Sequence, residues 1–207
     1  MSRIGTPTQP GAIVAGVELR LCDDAGNEVP WDGESVGEIE ARGPWIAAAY
    51  YRPEDDSNEA RFHDGWLRSG DIGSLTPDGH LHVVDRTKDL VKSGGEWISS
   101  SELEQRLTAH PDVLEAAVVA RPDREWGERP VAYVVAVPGA SLSDAELLDH
   151  LRPHVARWWL PDRVELVADL PKTSVGKVDK RELRRLAARD AEAEFLSLKT
   201  ATRGESR

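Results

Sequence analysis

The sequence predicts an α+β protein in which a β-rich N-terminal part precedes a C-terminal part that mixes helices and strands. Residues 1–86 contain short apolar runs between turn residues, as expected of an all-β piece. After residue 100, helix-capping pairs alternate with β-branched runs. We place the boundary near Lys88, which gives domains at residues 1–87 and 88–207. The second domain is long enough to bury a core of its own.

The strands of the N-terminal part are predicted where short apolar runs are bounded by turn residues. They cover residues 12–21, 36–42 and 80–84, with turns at residues 24–27, 32–33 and 77–79. Residues 44–64 are expected to be irregular, because prolines and an acidic run at 54–56 interrupt the apolar pattern. This part is therefore predicted to be all β, with no helix.

The helices of the C-terminal part are predicted from a Ser or Asp that lies three residues ahead of a Glu, which is the pattern of a capping box. The pairs are Ser101 with Glu104, Ser143 with Glu146, and Asp179 with Glu182. The expected strands are the β-branched runs at residues 113–120, 130–137 and 163–168. These elements predict a small three-stranded sheet flanked by helices, followed by a frayed tail at residues 200–207.

The composition narrows the possible functions. A net charge of −11 argues against general nucleic-acid binding, and 40% hydrophobic with 30% charged residues fits a soluble globular protein. No apolar run approaches the roughly 20 residues of a transmembrane helix, and residues 1–11 lack the apolar core of a signal peptide. The only cysteine, Cys22, excludes an internal disulfide and is expected to be a small strand hydrophobe. We therefore expect a cytoplasmic protein with no transmembrane segment.

A local basic patch stands out on this acidic chain. Residues 171–189 contain seven Lys or Arg side chains against only Asp179 and Glu182. Such a patch suits a small polyanion such as ATP or coenzyme A, although a solvated helix face would have the same composition. Lys177 follows Gly176 in this patch, so it has the reach and the mobility to bring an ammonium group to a phosphate.

Two glycines form a second candidate site. Gly94 and Gly95 lie between a strand and a capped helix, where they would let the backbone approach a ligand closely. An ordinary loop could have the same sequence. The pattern GxxxxGK[ST] is absent from the sequence, so neither this loop nor the one at Lys177 is a P-loop.

Other polar residues have both a functional and a structural interpretation. Asp71 lies at a predicted turn, where its carboxylate could accept hydrogen bonds from both hydroxyls of a ribose or could cap its own backbone. Arg86 could donate to the same ribose or pair with Asp85. His150 and His154 lie four residues apart on a predicted helix, but no third ligand is placed nearby, so no metal site is predicted.

Four motifs in a fixed order carry a family resemblance. They are Gly70-Asp71, Asp85-Arg86-Thr87-Lys88-Asp89, Lys92-Ser93-Gly94-Gly95-Glu96 and Pro171-Lys172-Thr173-Ser174-Val175-Gly176-Lys177. Their order and spacing resemble the adenylate-forming superfamily of acyl-CoA synthetases, luciferases and peptide-synthetase adenylation domains. The amino-acid sequences of residues 93–104 and 158–177 are most similar to those of bacterial fatty-acyl-CoA synthetases. The resemblance runs from about Gly5 to Leu186.

The resemblance implies a role for each matching residue. Asp71 and Arg86 would hold the ribose of ATP, and Lys177 would contact ATP as the catalytic lysine of adenylation. Lys88 would be the hinge about which the C-terminal domain rotates as a lid, and Lys92 matches a position associated with the thioester-forming orientation. The implied coenzyme A-binding residues are Gly94, Gly95, Glu96, Trp126 and Trp158.

One segment departs from the superfamily pattern. Many relatives carry an aromatic residue followed by Lys-x-Pro where this chain has Trp158-Trp159-Leu160-Pro161. Because this chain lacks that lysine, the phosphates of coenzyme A would have one cation fewer to contact.

The implied reaction joins a carboxylic acid, expected to be a fatty acid, to coenzyme A at the expense of ATP. Lys177 would stabilise the charge that spreads over the phosphoryl oxygens during adenylation. Because the thiol of coenzyme A needs the same space, rotation near Lys88 would then replace the Lys177 loop with the Gly94-Gly95 loop.

The superfamily's Gly/Ser/Thr-rich phosphate loop and its aromatic-Thr-Glu metal motif are absent from the sequence. Residues 1–87 are therefore expected to be the end of a truncated N-terminal adenylation domain, whose remainder would supply the acid pocket and bind Mg²⁺. Without it the chain is expected to be inactive. Two alternatives stay open: the adenylation domain of another superfamily branch, and a non-catalytic interaction module that keeps the lid fold.

Overall fold

The computed structural model describes residues 11–52 and 57–204. They form two compact units that part between Lys88 and Asp89. Gly5, where the resemblance begins, and the acidic run at 54–56 lie outside the described residues. Among the described residues, no helix combines the length and the apolar character that crossing a membrane requires.

The N-terminal unit is built on an antiparallel sheet of six strands. Its elements are β1 (Gly11–Ala12), β2 (Glu18–Cys22), β3 (Gly37–Arg42), α1 (Ser57–Arg61), β4 (Phe62–His63), β5 (Trp66–Leu75) and β6 (His80–Arg86). The strand order is β1-β6-β5-β3-β2, and β4 pairs with β5. Leu21, Ile39 and Leu75 form its small apolar cluster.

Two predictions for this unit were wrong. The single strand expected at residues 12–21 is interrupted by a turn in which Gly16 has a φ of +84°, so β1 and β2 are separate strands. The stretch at 44–64, expected to be irregular, contains α1 and β4. Both elements are too short to have a recognisable hydrophobic period, so the sequence offered no pattern for them.

The described residues of the C-terminal unit form five strands and three α-helices. Its elements are β7 (Val91–Ser93), β8 (Glu96–Ile98), α2 (Ser100–Thr108), β9 (Val113–Asp123), β10 (Gly127–Ala136), α3 (Asp144–Leu151), a 3₁₀ turn (Arg157–Trp159), β11 (Arg163–Leu166) and α4 (Lys180–Gly204). The strand order is β11-β10-β7-β8, with β9 on β10. The α+β class is confirmed, but the sheet has five strands instead of the predicted three, because β7 and β8 are only three residues each.

Helices cover both faces of this sheet. Val118 of β9 and Val134 of β10 point into a core with helices α2 and α3. Their strand neighbours Val119 and Val135 point to the other face, where they pack with Leu183 of α4. The period of two along β9 and β10 therefore builds two apolar layers, and α4 holds the loop that precedes it against the sheet.

The helix caps show where local sequence was sufficient. Ser143 and Glu146 form the predicted capping box of α3, with Glu146 N donating to Ser143 Oγ at 3.3 Å. For α2 the predicted pair was wrong: the cap is Ser99, whose hydroxyl accepts from Glu102 N at 3.2 Å. At the other end of the unit, α4 continues to Gly204, through the first five residues of the predicted tail.

Candidate functional site

A polar cleft of about 520 Å³ lies in the N-terminal unit, where β5, β6 and α1 meet. It is lined by Glu38, Ala60, Arg61, Arg68, Ser69, Gly70, Asp71, Arg86, Thr87 and Lys88. Four of these side chains are cationic and two are anionic. The cleft is therefore suited to a polar ligand that carries negative charge.

Asp71 and Arg86 lie side by side at the cleft because β5 and β6 pair them in register, so Asp71 belongs to a strand and not to the predicted turn. Arg86 Nε lies 3.6 Å from Asp71 Oδ1, and both side chains remain partly exposed. The carboxylate of Asp85 accepts from the backbone N–H of Arg86 at 2.7 Å. The carboxylate of Asp71 and the guanidinium of Arg86 are thus both presented to the cleft.

Gly70 has a backbone conformation that favours glycine, with a φ of +77°. A Cβ at this position would also displace the guanidinium of Arg61. Arg61 in turn donates to Arg68 O at 3.2 Å. The sequence did not identify Arg61 as a cleft residue, because it lies on α1, a helix that the sequence did not predict.

Lys177 lies on an exposed hairpin between Leu170 and α4. Thr173 N donates to Lys177 O at 2.7 Å and Gly176 N donates to Thr173 O at 2.9 Å, so the hairpin closes on itself. Its tip points into solvent, with Val175 78% exposed. Among the described residues, no side chain pairs with the ammonium of Lys177, which leaves that charge available to an anion.

The base of this hairpin is pinned to the unit. Lys172 Nζ lies 2.5 Å from Glu115 Oε2 of β9, and Asp179 N donates to Pro171 O at 2.7 Å. Asp179 then accepts from Glu182 N at 3.3 Å as α4 begins, as predicted. The hairpin therefore has a fixed base and a free tip, and only its tip can adapt to a ligand.

Gly94 and Gly95 form the two-residue turn between β7 and β8. Their φ angles of +61° and +88° match a type I′ hairpin turn, which requires positive φ at both central residues. Gly94 N donates to Trp126 O at 2.8 Å, and the Trp126 ring packs directly over Gly94. The glycine turn and Trp126 therefore form one surface.

Trp158 is joined to this surface through Arg129, a residue that the sequence analysis did not single out. Arg129 Nη1 donates to Trp158 O at 2.7 Å and to Ser93 Oγ, next to Gly94, at 3.2 Å. Neither bond follows a local pattern, because the partners lie far apart in the sequence. Trp126 and Trp158 are 50% and 42% exposed, so both indoles can contact a ligand.

The remaining predicted residues lie around these features. Lys92 N donates to Glu128 Oε2 at 2.8 Å, while its ammonium lies 5.6 Å from the centre of the Trp97 ring. Glu96 is exposed at the start of β8. Lys88 is exposed where the two units part. The next residue, Asp89, accepts from Arg184 Nη1 of α4 at 2.8 Å, which fixes the first residue of the C-terminal unit.

Three histidines of the C-terminal unit lie close together. The rings of His110 and His150 have centroids 5.0 Å apart, and those of His150 and His154 are 5.7 Å apart. His150 Nε2 lies 3.0 Å from Arg106 O. Within residues 11–52 and 57–204, no group of three or more His, Cys, Asp or Glu side chains is arranged to hold a metal ion.

Cys22 is a core residue of the N-terminal unit. It is 3% exposed, and burial together with the nearby Glu40 carboxylate raises the pKa of its thiol. A raised pKa keeps the sulfur protonated and weakly nucleophilic.

A paired substitution tests the packing of Trp126 on the glycine turn. Gly95→Ala is expected to destabilise the C-terminal unit by about 1 to 2 kcal/mol, because its φ is positive but nothing lies within 4 Å of the added Cβ. Gly94→Ala carries the same strain and also places Cβ 2.8 Å from Trp126 Cε3, so it is expected to cost more. Urea unfolding of both variants measures the difference, and equal losses would contradict this packing.

Comparison with known families matches residues 102–177 to the AMP-binding enzyme C-terminal domain. The long-chain-fatty-acid–CoA ligase of Thermus thermophilus is 47% identical over 175 residues, which cover 84% of this chain and 32% of that protein. The 3-methylmercaptopropionyl-CoA ligase of Ruegeria lacuscaerulensis is 44% identical over 169 residues, covering 82% and 31%. The chain thus spans about a third of the length of these curated relatives.

Comparison with solved structures also finds similarity to about a third of a longer protein. The crystal structure of ATP-bound MatB from Rhodopseudomonas palustris superposes with a TM-score of 0.74 at 34% identity, over 85% of this chain and 35% of that one. The similarity is high enough to relate both fold and sequence. It extends across more of the chain than the matched domain at residues 102–177.

Proposed function

The chain belongs to the adenylate-forming enzymes through its AMP-binding C-terminal domain, and we propose that it acts as the C-terminal part of a fatty-acid–CoA ligase. In this role it works with an N-terminal adenylation domain and is inactive without one. The observation that carries the proposal is the Lys177 hairpin, whose base is pinned to β9 and whose ammonium is free to meet a phosphate.

In the first half-reaction, an oxygen of the acid attacks the α-phosphorus of ATP, and the bond to the leaving pyrophosphate breaks. Negative charge spreads over the phosphoryl oxygens, and the ammonium of Lys177 stabilises it. Asp71 accepts hydrogen bonds from the ribose hydroxyls, and Arg86 donates to the same sugar. The shared cleft of Asp71 and Arg86 supports this assignment. Mg²⁺ would accompany ATP, and its ligands would come from the N-terminal domain.

In the second half-reaction, the thiol of coenzyme A attacks the acyl carbon and AMP leaves. Gly94, Gly95 and Glu96 line the passage of the pantetheine arm, while Trp126 and Trp158 contact the nucleotide end. Lys92 acts in the orientation of the lid that forms the thioester. The open glycine turn and the two exposed indoles support these roles. Lys88 is the hinge between the orientations, and its position where the two units part supports that role.

The acid and the compartment belong to the same proposal. The long-chain-fatty-acid–CoA ligase of Thermus thermophilus favours a fatty acid, whereas the 3-methylmercaptopropionyl-CoA ligase of Ruegeria acts on a different one. Cytoplasmic location is supported by the single, buried cysteine. The partners are therefore ATP, coenzyme A, the acid and the N-terminal domain, with no nucleic acid.

A reconstitution experiment tests this function. The chain is mixed with a separately expressed N-terminal adenylation domain from the Thermus thermophilus relative, together with ATP and a fatty acid. We expect pyrophosphate release that requires both proteins, and acyl-thioester formation that requires coenzyme A. A pair that binds but releases no pyrophosphate would favour the non-catalytic interaction module. If pyrophosphate is released but no acyl-CoA forms when coenzyme A is added, the result would favour another superfamily branch.

A further inference from the structure

We propose that Arg129 is a positioning residue that fixes Trp158 and the Gly94-Gly95 turn, with Trp126 on it, as one surface for coenzyme A. This inference rests on the proposed function, because it concerns how the thioester-forming ligand is held. Arg129 itself is not assigned a contact with the ligand. Its guanidinium is saturated by four acceptors within the protein, so its role is to set the spacing of the groups that touch coenzyme A.

The guanidinium of Arg129 is partly buried, and each of its nitrogens takes part in a hydrogen bond. Its side chain is only 12% exposed, and its three nitrogens each donate at least one hydrogen bond. Nε and Nη2 donate to Asp162 Oδ1 at 3.0 and 2.8 Å, which anchors the fork at the start of β11. Nη2 also donates to Leu160 O at 3.0 Å. The remaining nitrogen, Nη1, is held in place by these bonds.

Nη1 connects two segments that no other described hydrogen bond joins. It donates to Trp158 O at 2.7 Å on one side and to Ser93 Oγ at 3.2 Å on the other. Ser93 is the last residue of β7 and directly precedes the glycine turn. The distance between the Trp158 segment and the glycine turn is therefore set through one planar group.

The segment that carries Trp158 depends on this bond. The 3₁₀ turn Arg157–Trp159 has no side-chain cap at its N-terminus, and its last carbonyls point toward Arg129. Trp159 packs against the core of α2 and α3, whereas the adjacent Trp158 is exposed. Core packing at Trp159 and the carbonyl bond at Trp158 together determine which way the exposed indole faces.

The other side of the surface is equally constrained. Gly94 N donates to Trp126 O at 2.8 Å, and the Trp126 ring lies on Gly94. Gly127, which follows Trp126, pairs with Ser93. Trp126 and the glycine turn are therefore already held to each other without Arg129. The hydrogen bonds of Arg129 attach Trp158 to them.

Coenzyme A is the ligand class that benefits from such spacing. It is a long molecule with a planar, phosphorylated nucleotide at one end and a slender thiol arm at the other. When the two sites are held at the right separation, binding of one end of coenzyme A keeps the other end close to its own site. The affinity for coenzyme A then exceeds the affinity for the nucleotide or the thiol arm alone. A lysine could not replace Arg129, since an ammonium lacks the rigid fork that reaches four acceptors at once.

The test compares coenzyme A with its two halves on the full chain. ¹H–¹⁵N NMR titrations with coenzyme A, 3′,5′-ADP and 4′-phosphopantetheine follow the indole and glycine signals. In Arg129→Ala, we expect the affinity for coenzyme A to fall about tenfold or more, while the affinity for each half changes less than about threefold. The coenzyme A affinity of Arg129→Lys should lie between those of wild type and Arg129→Ala. Asp162→Asn should show a smaller loss of coenzyme A affinity than Arg129→Ala. Arg157→Ala, which removes an exposed cation beside Trp158, should match wild type.

Each alternative outcome is decisive. Equal losses for coenzyme A and both halves in Arg129→Ala would mean a purely structural role and would overturn the inference, as would unchanged coenzyme A affinity in a folded variant. If wild-type protein binds neither coenzyme A nor its halves, the coenzyme A step of the proposed function fails as well. Wild-type binding with an insensitive Arg129→Ala rejects only the positioning role.

Discussion

Lys177→Ala is expected to reduce adenylation by roughly 100- to 1000-fold while leaving thioester formation from supplied acyl-adenylate close to wild type. In the proposed function, the ammonium of Lys177 would stabilise the additional negative charge that develops on the phosphoryl oxygens in the transition state of adenylation. The fold should be unaffected, because the hairpin is held by backbone bonds and by the ion pair of Lys172 with Glu115. Pyrophosphate release and acyl-CoA formation are measured separately with the complementing N-terminal domain.

The matched control for Lys177→Ala is Arg181→Ala. Arg181 lies four residues further along the same basic stretch and is highly exposed, so its loss removes one positive charge and only one long ion pair, of 3.9 Å, to Asp179 at the hairpin base. We expect this variant to retain adenylation. If Arg181→Ala and Lys177→Ala lose equal activity, general attraction by the basic patch would replace the specific role of Lys177.

Lys88→Pro is expected to separate the two half-reactions by trapping the lid in one orientation. Proline fixes φ near −65°, so an orientation that needs another value is disfavoured by about 1 to 3 kcal/mol. Overall turnover should fall by roughly 5- to 150-fold, while one half-reaction continues near its normal rate. Single-turnover assays of each half-reaction would identify the orientation that survives.

Lys88→Ala controls for loss of the side chain without loss of backbone freedom, and we expect it to keep both half-reactions. The ladder between β5 and β6 ends before this residue, and Asp89 is held by Arg184, so each unit should stay folded in both variants. Wild-type turnover by Lys88→Pro would refute the hinge at this position.

Local sequence was sufficient where a structure depends on neighbouring residues. The capping box of α3 needs only Ser143 and Glu146, and the turn at 77–79 needs only its own proline, aspartate and glycine. For α2, several serines compete for the cap, and tertiary contacts decide. Glu104, the expected partner, instead accepts from Val118 N at 2.7 Å. Packing against β9 therefore overrode the local pattern.

The candidate site divides in the same way. Lys177, Asp71 and the glycine pair lie in short motifs, so the sequence could identify them. Arg129 and Arg61 could not be found, because their partners are backbone carbonyls and side chains that only the fold brings close. An arginine in a strand gives no sign of whether it will meet solvent, an ion pair or the carbonyls of a distant turn.

A crossed comparison of Lys177→Ala with Lys92→Ala tests the central claim most directly, since the two lysines are assigned to different half-reactions. Both rates are measured for both variants with the complementing N-terminal domain. The lid mechanism predicts opposite patterns: Lys177→Ala loses adenylation and keeps thioester formation, whereas Lys92→Ala keeps adenylation and slows thioester formation. If both variants lose the same half-reaction, or each loses both equally, the two loops do not alternate at one site.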